Sequence, residues 1–360
     1  MIEWNEFLRV TNSRSARRKY LFKNEQPFHV LFSQQFQRED LDKLYQTATA
    51  IRKLHKRKTD ASWLRKTLQG KRLLCLFVQP STRTVESFVA AGEKLGMDAR
   101  VIQDISTSSF AKGETVEDSI RTLSSYFDVV VTRNKEEDFA LKAAYATLNS
   151  KRSIPVISGG SGSSHHVTQS LLDIYTLQYS FAGKGGVDGK HIMFVCDLLR
   201  NRAARSLIYL LTKFNGIKLT LVTPPSMQLD AELREYITIN HDLEVNEFTS
   251  VEEALKLSGK TVNAIYMTRN QKEYGRAEDV NWNEADFWLK WDYRRYIDEN
   301  CVIMHPLPRQ EELPIEWDEF PGSVVWRQVR NGMWIRAALF ANIFGVDQEI
   351  RDNAASLGIL

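Results

Sequence analysis

Three hundred and sixty residues exceed one small domain and suit two of ordinary size. With 43% hydrophobic, 11% aromatic and 26% charged residues, the chain is not a collagen, a coiled coil, a disordered tail or a disulfide-rich mini-protein. The net charge of +3 conceals an asymmetry: residues 1–72 carry 17 Lys and Arg against 7 Asp and Glu, whereas the other 288 residues net −7. A basic front end admits nucleic acid, a membrane surface, a targeting peptide or merely solvated helices.

After a polar, basic lead, Leu41, Leu44, Ala48 and Ile51 recur at spacings of three and four, which predicts a helix over Arg38 to Lys53. Asp60 or Ser62 then caps a short helix ending at Gly70. Short apolar runs follow, read as strands at 73–78, 129–132, 155–158, 191–196, 219–223, 264–267 and 301–304. Amphipathic segments separate them, among them 85–95, 115–127, 167–181, 203–214 and 250–257. Continuous apolar strands alternating with such helices predict parallel sheets covered on both faces. The fold class is therefore α/β, with two doubly wound parallel-sheet domains of similar size. Their boundary lies near 166–189, where Gly183 to Gly189 forms the one strongly Gly-rich joint.

Cys75, Cys196 and Cys301 are odd in number, widely spaced and each set in an apolar run, so they read as small buried hydrophobes in a reducing compartment. No apolar stretch approaches the ~18 to 20 residues of a membrane span. The N-terminus, Met-Ile-Glu-Trp-Asn-Glu, has no apolar core of a signal peptide, so a cytoplasmic protein is expected.

Ligands of open parallel sheets bind at the carboxyl ends of strands, near helix N-termini. After the first strand comes Gln79-Pro-Ser-Thr-Arg-Thr84. Three hydroxyls and a guanidinium at a strand-to-helix turn suit a phosphate dianion, although Ser and Thr equally make a plain capped turn. Thr132-Arg133-Asn134 puts an arginine at the next strand end. A Gly- and Ser-rich run ending in His165-His166 follows the third strand, with His166 and Gln169 spaced to share a helix face. In the second half, Arg202, Arg269 with Gln271, and His305-Pro-Leu-Pro-Arg309 each follow a strand. Strand after strand ends in a cation or an amide, which describes a site for more than one anion. Neither metal-ligand spacing, nor G-x-G-x-x-G, nor a Walker loop occurs, so no cofactor and no metal are expected.

These residues resemble the aspartate/ornithine carbamoyltransferases. Pro80-Ser-Thr-Arg-Thr84 is similar to that family's carbamoyl-phosphate signature, and the rest follows in family order. Ser108 to Thr115 looks like the loop lent to a neighbouring subunit's site. Thr132-Arg133, His166-x-Thr-Gln169, Asp197 with Arg202, Tyr266-Met-Thr-Arg269-x-Gln271, His305-Pro-Leu-Pro308 and Asn331-Gly332 complete the match. Arg269-x-Gln271 and Pro306 resemble the aspartate branch, and no ornithine-type Ser-Met-Gly loop is present. Three positions depart from the pattern: Val85 for a second arginine, Val167 for a proline and Asn201 for a glycine.

The resemblance leaves a basic extension over 1–28 outside it and implies a carbamoyl-phosphate domain over 29–165 plus 334–360, and an aspartate domain over 166–333. A C-terminal helix returns to the first domain. It implies carbamoyl transfer from carbamoyl phosphate to L-aspartate, a step of pyrimidine synthesis. Ser81, Thr82, Arg83 and Thr84 hold the phosphate, with Ser108 and Lys112 from an adjacent chain. Thr84, Arg133 and His166 polarise the carbonyl, and Arg83, Thr84, Arg133 and His166 are the catalytic set. Gln169 and the carbonyls of Leu307 and Pro308 orient the carbamoyl NH₂. Lys112, Arg202, Arg269 and Gln271 bind aspartate. A homotrimer with shared sites is implied, with no nucleic-acid or membrane partner; a regulatory partner stays open. The alternatives are a carbamoyltransferase for ornithine or an acylated amino acid, and a non-catalytic binding subunit. The basic lead is expected to serve as an assembly arm.

Overall fold

The computed structural model of the chain describes residues 2–13, 16–103, 113–160, 165–239, 241, 243–271 and 282–360; Ser108 and Lys112 lie outside these. It divides into two units, Met1–Thr168 with Gly332–Leu360, and Gln169–Asn331.

The first unit opens with helices α1 (Trp4–Asn12) and α2 (Arg18–Leu21), then a small antiparallel hairpin of β1 (Phe22–Lys23) and β2 (Gln26–Pro27). Its two turn residues, Asn24 and Glu25, both have positive φ, 52° and 59°, as a two-residue primed turn demands. Helices α3 (Arg38–His55) and α4 (Lys58–Thr67) precede β3 (Arg72–Phe77). Then follow α5 (Thr82–Leu95), β4 (Asp98–Ile102), α6 (Val116–Ser124), β5 (Val129–Arg133), α7 (Phe139–Leu148) and β6 (Val156–Ser158). The sheet is parallel in the order β4-β3-β5-β6. Leu74, Leu76, Val130 and Val156 bury one face with Ile120, Phe139 and Ala143.

Helix α8 (Val167–Ser180) leads into the second unit. There β7 (His191–Val195), α9 (Arg202–Leu211), β8 (Lys218–Val222), α10 (Ala231–Thr238), β9 (Glu244–Phe248), α11 (Val251–Ser258), β10 (Ala264–Met267) and β11 (Val302–Met304) follow. Their sheet is also parallel, in the order β11-β10-β7-β8-β9. Helices α12 (Val325–Ile343) and α13 (Asp347–Ser356) finish the chain, most of it back in the first unit. Among the described residues no helix is long and apolar enough to cross a membrane.

Two expectations need correction. Asp60 and Ser62 lie inside α4, whose N-cap is Arg57, and Asp60 pairs with the Arg57 guanidinium at 2.9 Å instead of capping. The edge strands β4 and β9 were not anticipated, because they are largely exposed and lack an apolar run. The described residues of the basic lead pack onto the first unit. Phe7 has no exposed surface and packs its ring 5.7 Å from Tyr145 and 6.1 Å from Tyr20. Arg18 donates to Asp40 at 2.6 Å and stacks 3.6 Å from the Phe22 ring centroid. Beyond the hairpin, Val30 bridges Ile157, so this segment covers the β6 edge of the sheet.

Candidate active site

In the first unit the chain leaves β3 toward β4 on one side and β5 on the other. The carboxyl ends of β3 and β5 are therefore the topological switch point, where open α/β sheets bind ligands. Phe77 pairs with Arg133 and Thr132 with Ser158, so three strand ends lie level. Gln79 N–H donates to the Arg133 carbonyl at 3.1 Å and ties the first loop to the second.

Ser81 is the N-cap residue of α5, yet its side chain accepts no helix N–H. Its hydroxyl donates to Thr84 Oγ1 at 3.0 Å instead. The plain capped turn therefore does not form, and the first-turn N–H groups have no side-chain cap to displace before meeting an anion. Thr82 and Arg83 are exposed beside them, while Thr84 is buried. Val85 is 2% exposed and turns into the core, so its departure from the family pattern adds packing there.

Arg133 donates from Nη1 to the Gly159 carbonyl at 3.2 Å. Next to it Gly160 has φ +106°, a conformation open to glycine and disfavoured for other residues. A Cβ on Gly160 would sit 3.1 Å from Arg133 Nη1 and 3.4 Å from His166 Nε2. The missing side chain thus leaves a small cradle flanked by a guanidinium and a buried imidazole. Neighbouring His165 packs its ring edge-on against Phe32, at 5.5 Å.

In the second unit the switch point falls between β7 and β10. Val195 pairs with Met267, which levels the two following loops. Asn201 caps α9, its Oδ1 accepting the N–H groups of Ala203 and Ala204 at 3.1 Å. Asn at the place of a glycine is therefore a cap, and it fixes Arg202, the first helical residue, 9% exposed. Fully buried Asp197 joins the two loops. It accepts Arg200 N–H and Nε, both at 2.9 Å, and Gln271 N–H at 3.2 Å. Arg200 also donates to Asn270 Oδ1 at 2.9 Å, and Arg269 Nη1 to the Asn270 carbonyl at 3.1 Å.

On the other side of β10, β11 delivers His305. Leu307, at φ +59°, donates its N–H to His305 Nδ1 at 2.8 Å. An accepting Nδ1 leaves the ring proton on Nε2, which donates to Glu312 at 2.9 Å. Burial pushes the His305 pKa down against the pull of Glu312. Burial alone would raise Glu312, but its bonds from His305 and Gln310 N–H hold its carboxyl below the usual range. The pair is a neutral imidazole on a carboxylate, and it pins the loop that carries Leu307 and Pro308.

Every expected site residue among the described ones sits at or just beyond a strand end. In the first unit these are Ser81 to Thr84, Arg133 and His166; in the second they are Arg202, Arg269, Gln271, Leu307 and Pro308, with Gln169 near the start of α8. Reading from sequence missed Arg200 and Asp173, whose contacts hold these residues.

Residues 29–179 match the carbamoyl-P binding domain of aspartate/ornithine carbamoyltransferases, and residues 188–343 match the Asp/Orn binding domain. The chain belongs to the aspartate/ornithine carbamoyltransferase family. A chloroplastic aspartate carbamoyltransferase of Pisum sativum is 35% identical over 86% of this chain and 77% of that protein. The aspartate carbamoyltransferase catalytic subunit of Saccharophagus degradans is 33% identical, over 89% of this chain and 94% of the relative. The solved Trypanosoma cruzi aspartate transcarbamoylase, in complex with carbamoyl aspartate and phosphate, superposes with TM-score 0.77 at 31% identity. That match covers 88% of this chain and 95% of the other. The M. jannaschii catalytic subunit gives TM-score 0.75 at 30% identity, covering 88% and 98%. Within the family, these relatives carry the aspartate name.

Proposed function

We propose that the chain transfers the carbamoyl group of carbamoyl phosphate to the amine of L-aspartate, giving N-carbamoyl-L-aspartate and phosphate. The approach of Arg133 Nη1 and His166 Nε2 to one cradle beside Gly160 carries this reading. Two donors at one point suit the oxyanion that develops when an amine attacks a carbonyl. Ser81, Thr82, Arg83 and Thr84 hold the phosphate, and Ser108 and Lys112 of an adjacent subunit complete its shell in a trimer. Thr84 joins Arg133 and His166 at the carbonyl oxygen. Gln169 and the carbonyls of Leu307 and Pro308 take the carbamoyl NH₂, while Arg202, Arg269, Gln271 and Lys112 take the aspartate carboxylates. No covalent nucleophile is required, since an aligned amine and a phosphate leaving group suffice. The leaving phosphate accepts the amine proton.

The reading includes a cytoplasmic, reducing setting. In its support, all three cysteines are free and buried, and burial pushes the Cys75 thiol up to about 12, far from reactive thiolate.

The test is a two-substrate assay with molar mass measured alongside. Phosphate release with aspartate but not ornithine, from a trimer, is expected. Arg83→Ala nearly abolishes turnover. Arg269→Ala raises the aspartate KM by about a hundredfold, the cost of a lost charge-assisted pair, and the carbamoyl-phosphate KM far less. Equal effects on both KM values remove Arg269 from the aspartate clamp, and turnover with ornithine alone overturns the substrate.

A further inference from the structure

Asp173, one turn along α8 from Gln169, is fully buried and lies outside the catalytic set. Its Oδ1 accepts Gln169 Nε2 at 3.0 Å and Gln328 Nε2 at 2.7 Å, and its Oδ2 accepts the Tyr266 hydroxyl at 2.7 Å. A carboxylate only accepts, so whichever end of a glutamine amide faces it must be the NH₂. With its NH₂ held on Asp173, Gln169 presents Oε1 as the amide atom left for a ligand. Gln328 is fixed in the same sense. With its NH₂ on Asp173, its Oε1 accepts the His305 backbone N–H at 3.0 Å, at the root of the Leu307–Pro308 loop. Burial keeps the Tyr266 pKa well above that of a free phenol, so the hydroxyl stays a donor to Asp173.

We infer that Asp173 is the positioning residue that makes this enzyme a reader of the carbamoyl NH₂. One buried carboxylate turns the Gln169 carbonyl outward and anchors, through Gln328, the loop whose two carbonyls are the remaining acceptors. The inference rests on the proposed roles of Gln169, Leu307 and Pro308. Three acceptors around one nitrogen select an amide over a methyl group of the same size, because a methyl leaves them unpaired.

Acetyl phosphate, with CH₃ where carbamoyl phosphate has NH₂, is the probe. In the full-length wild type, the carbamoyl-phosphate KM and the inhibition constant of acetyl phosphate are measured against aspartate. Asp173→Ala is expected to raise the former by about tenfold or more, as loss of oriented hydrogen bonds does, and to leave the latter within about threefold. Asp173→Asn is expected to recover most of the loss. Its carbonyl oxygen serves both glutamines, while its NH₂ donates to the phenol oxygen. If Asp173→Ala does not fold, Tyr266→Phe decides, since it removes the hydroxyl that donates to Asp173 Oδ2 and keeps the carboxylate; a smaller loss confined to carbamoyl phosphate is expected. Equal losses for both phosphates, no loss for either, or an Asn variant no better than Ala overturns the inference. A wild type without turnover from carbamoyl phosphate and aspartate instead sinks the reading of the site itself.

Discussion

Gly160 shows how much a single absent side chain contributes. Its φ of +106° excludes β-carbons for conformational reasons, and the space is bounded by Arg133 and His166. Gly160→Ala therefore pushes the guanidinium and the imidazole apart while leaving both in the chain. The expected result is a fall in kcat of about a hundredfold, the scale of a 1 Å misplacement, with little change in the aspartate KM. Steady-state kinetics decide it, and near-normal kcat would mean that the two donors do not act at that point. The residues with chemistry of their own, Arg83, Arg133, His166, Arg202 and Arg269, were legible in the sequence because cations at strand ends stand out against apolar strands. Asp173 and Arg200 were not. Asp173, in the middle of a helix, has no local mark separating a buried carboxylate from a solvated one. Only the fold brings Tyr266 and Gln328, 93 and 155 residues away, against it.

At the scale of elements, inner strands such as β3, β5, β7 and β10 were legible because burial on both faces requires unbroken apolar runs. The exposed edge strands β4 and β9 escaped, since exposure permits Asp98, Arg100, Glu244 and Glu247 within them, whereas the buried edges β6 and β11 did not. The N-terminal helix escaped for another reason. Its significance lies in Phe7, one buried ring in a segment whose cations dominate the composition. Two of those cations are satisfied at home, Arg18 by Asp40 and Phe22 and Arg17 against Phe32. Phe7→Ala is accordingly expected to destabilise the protein by about 3–5 kcal/mol, the cost of emptying a well-packed aromatic site. Denaturant unfolding measures this, with molar mass as the control. An arm that works only in assembly predicts the opposite pair of results, a changed mass and unchanged stability.

Across the whole molecule, net charge directs attention away from the chemistry. The front end holds the excess of cations, whereas the four arginines of the candidate site lie in the part whose net charge is −7. A quantity that does act globally is the protonation of buried histidines. Four of the seven histidines, His29, His55, His191 and His305, are pushed down, by burial first in each case. His29 is the extreme, driven to about 3 with no exposed surface. Its Nδ1 accepts the Val156 N–H at 3.1 Å, where the N-terminal segment meets the β6 edge, so the neutral ring is the native form. The unfolded chain binds a proton there near pH 6.5 and the folded protein only near 3, so the unfolded state holds more protons between these values. Stability contributed by the neutral ring is complete above pH 6.5 and is lost as pH falls toward 3. The loss from this one group is about 2 kcal/mol at pH 5. His29→Asn keeps an acceptor for Val156 N–H and removes the titration. The wild-type thermal midpoint should therefore fall relative to that of the variant as pH drops from 7 to 5, whatever their offset at pH 7. A constant offset across that range would show that His29 takes up its proton alike in the folded and unfolded states.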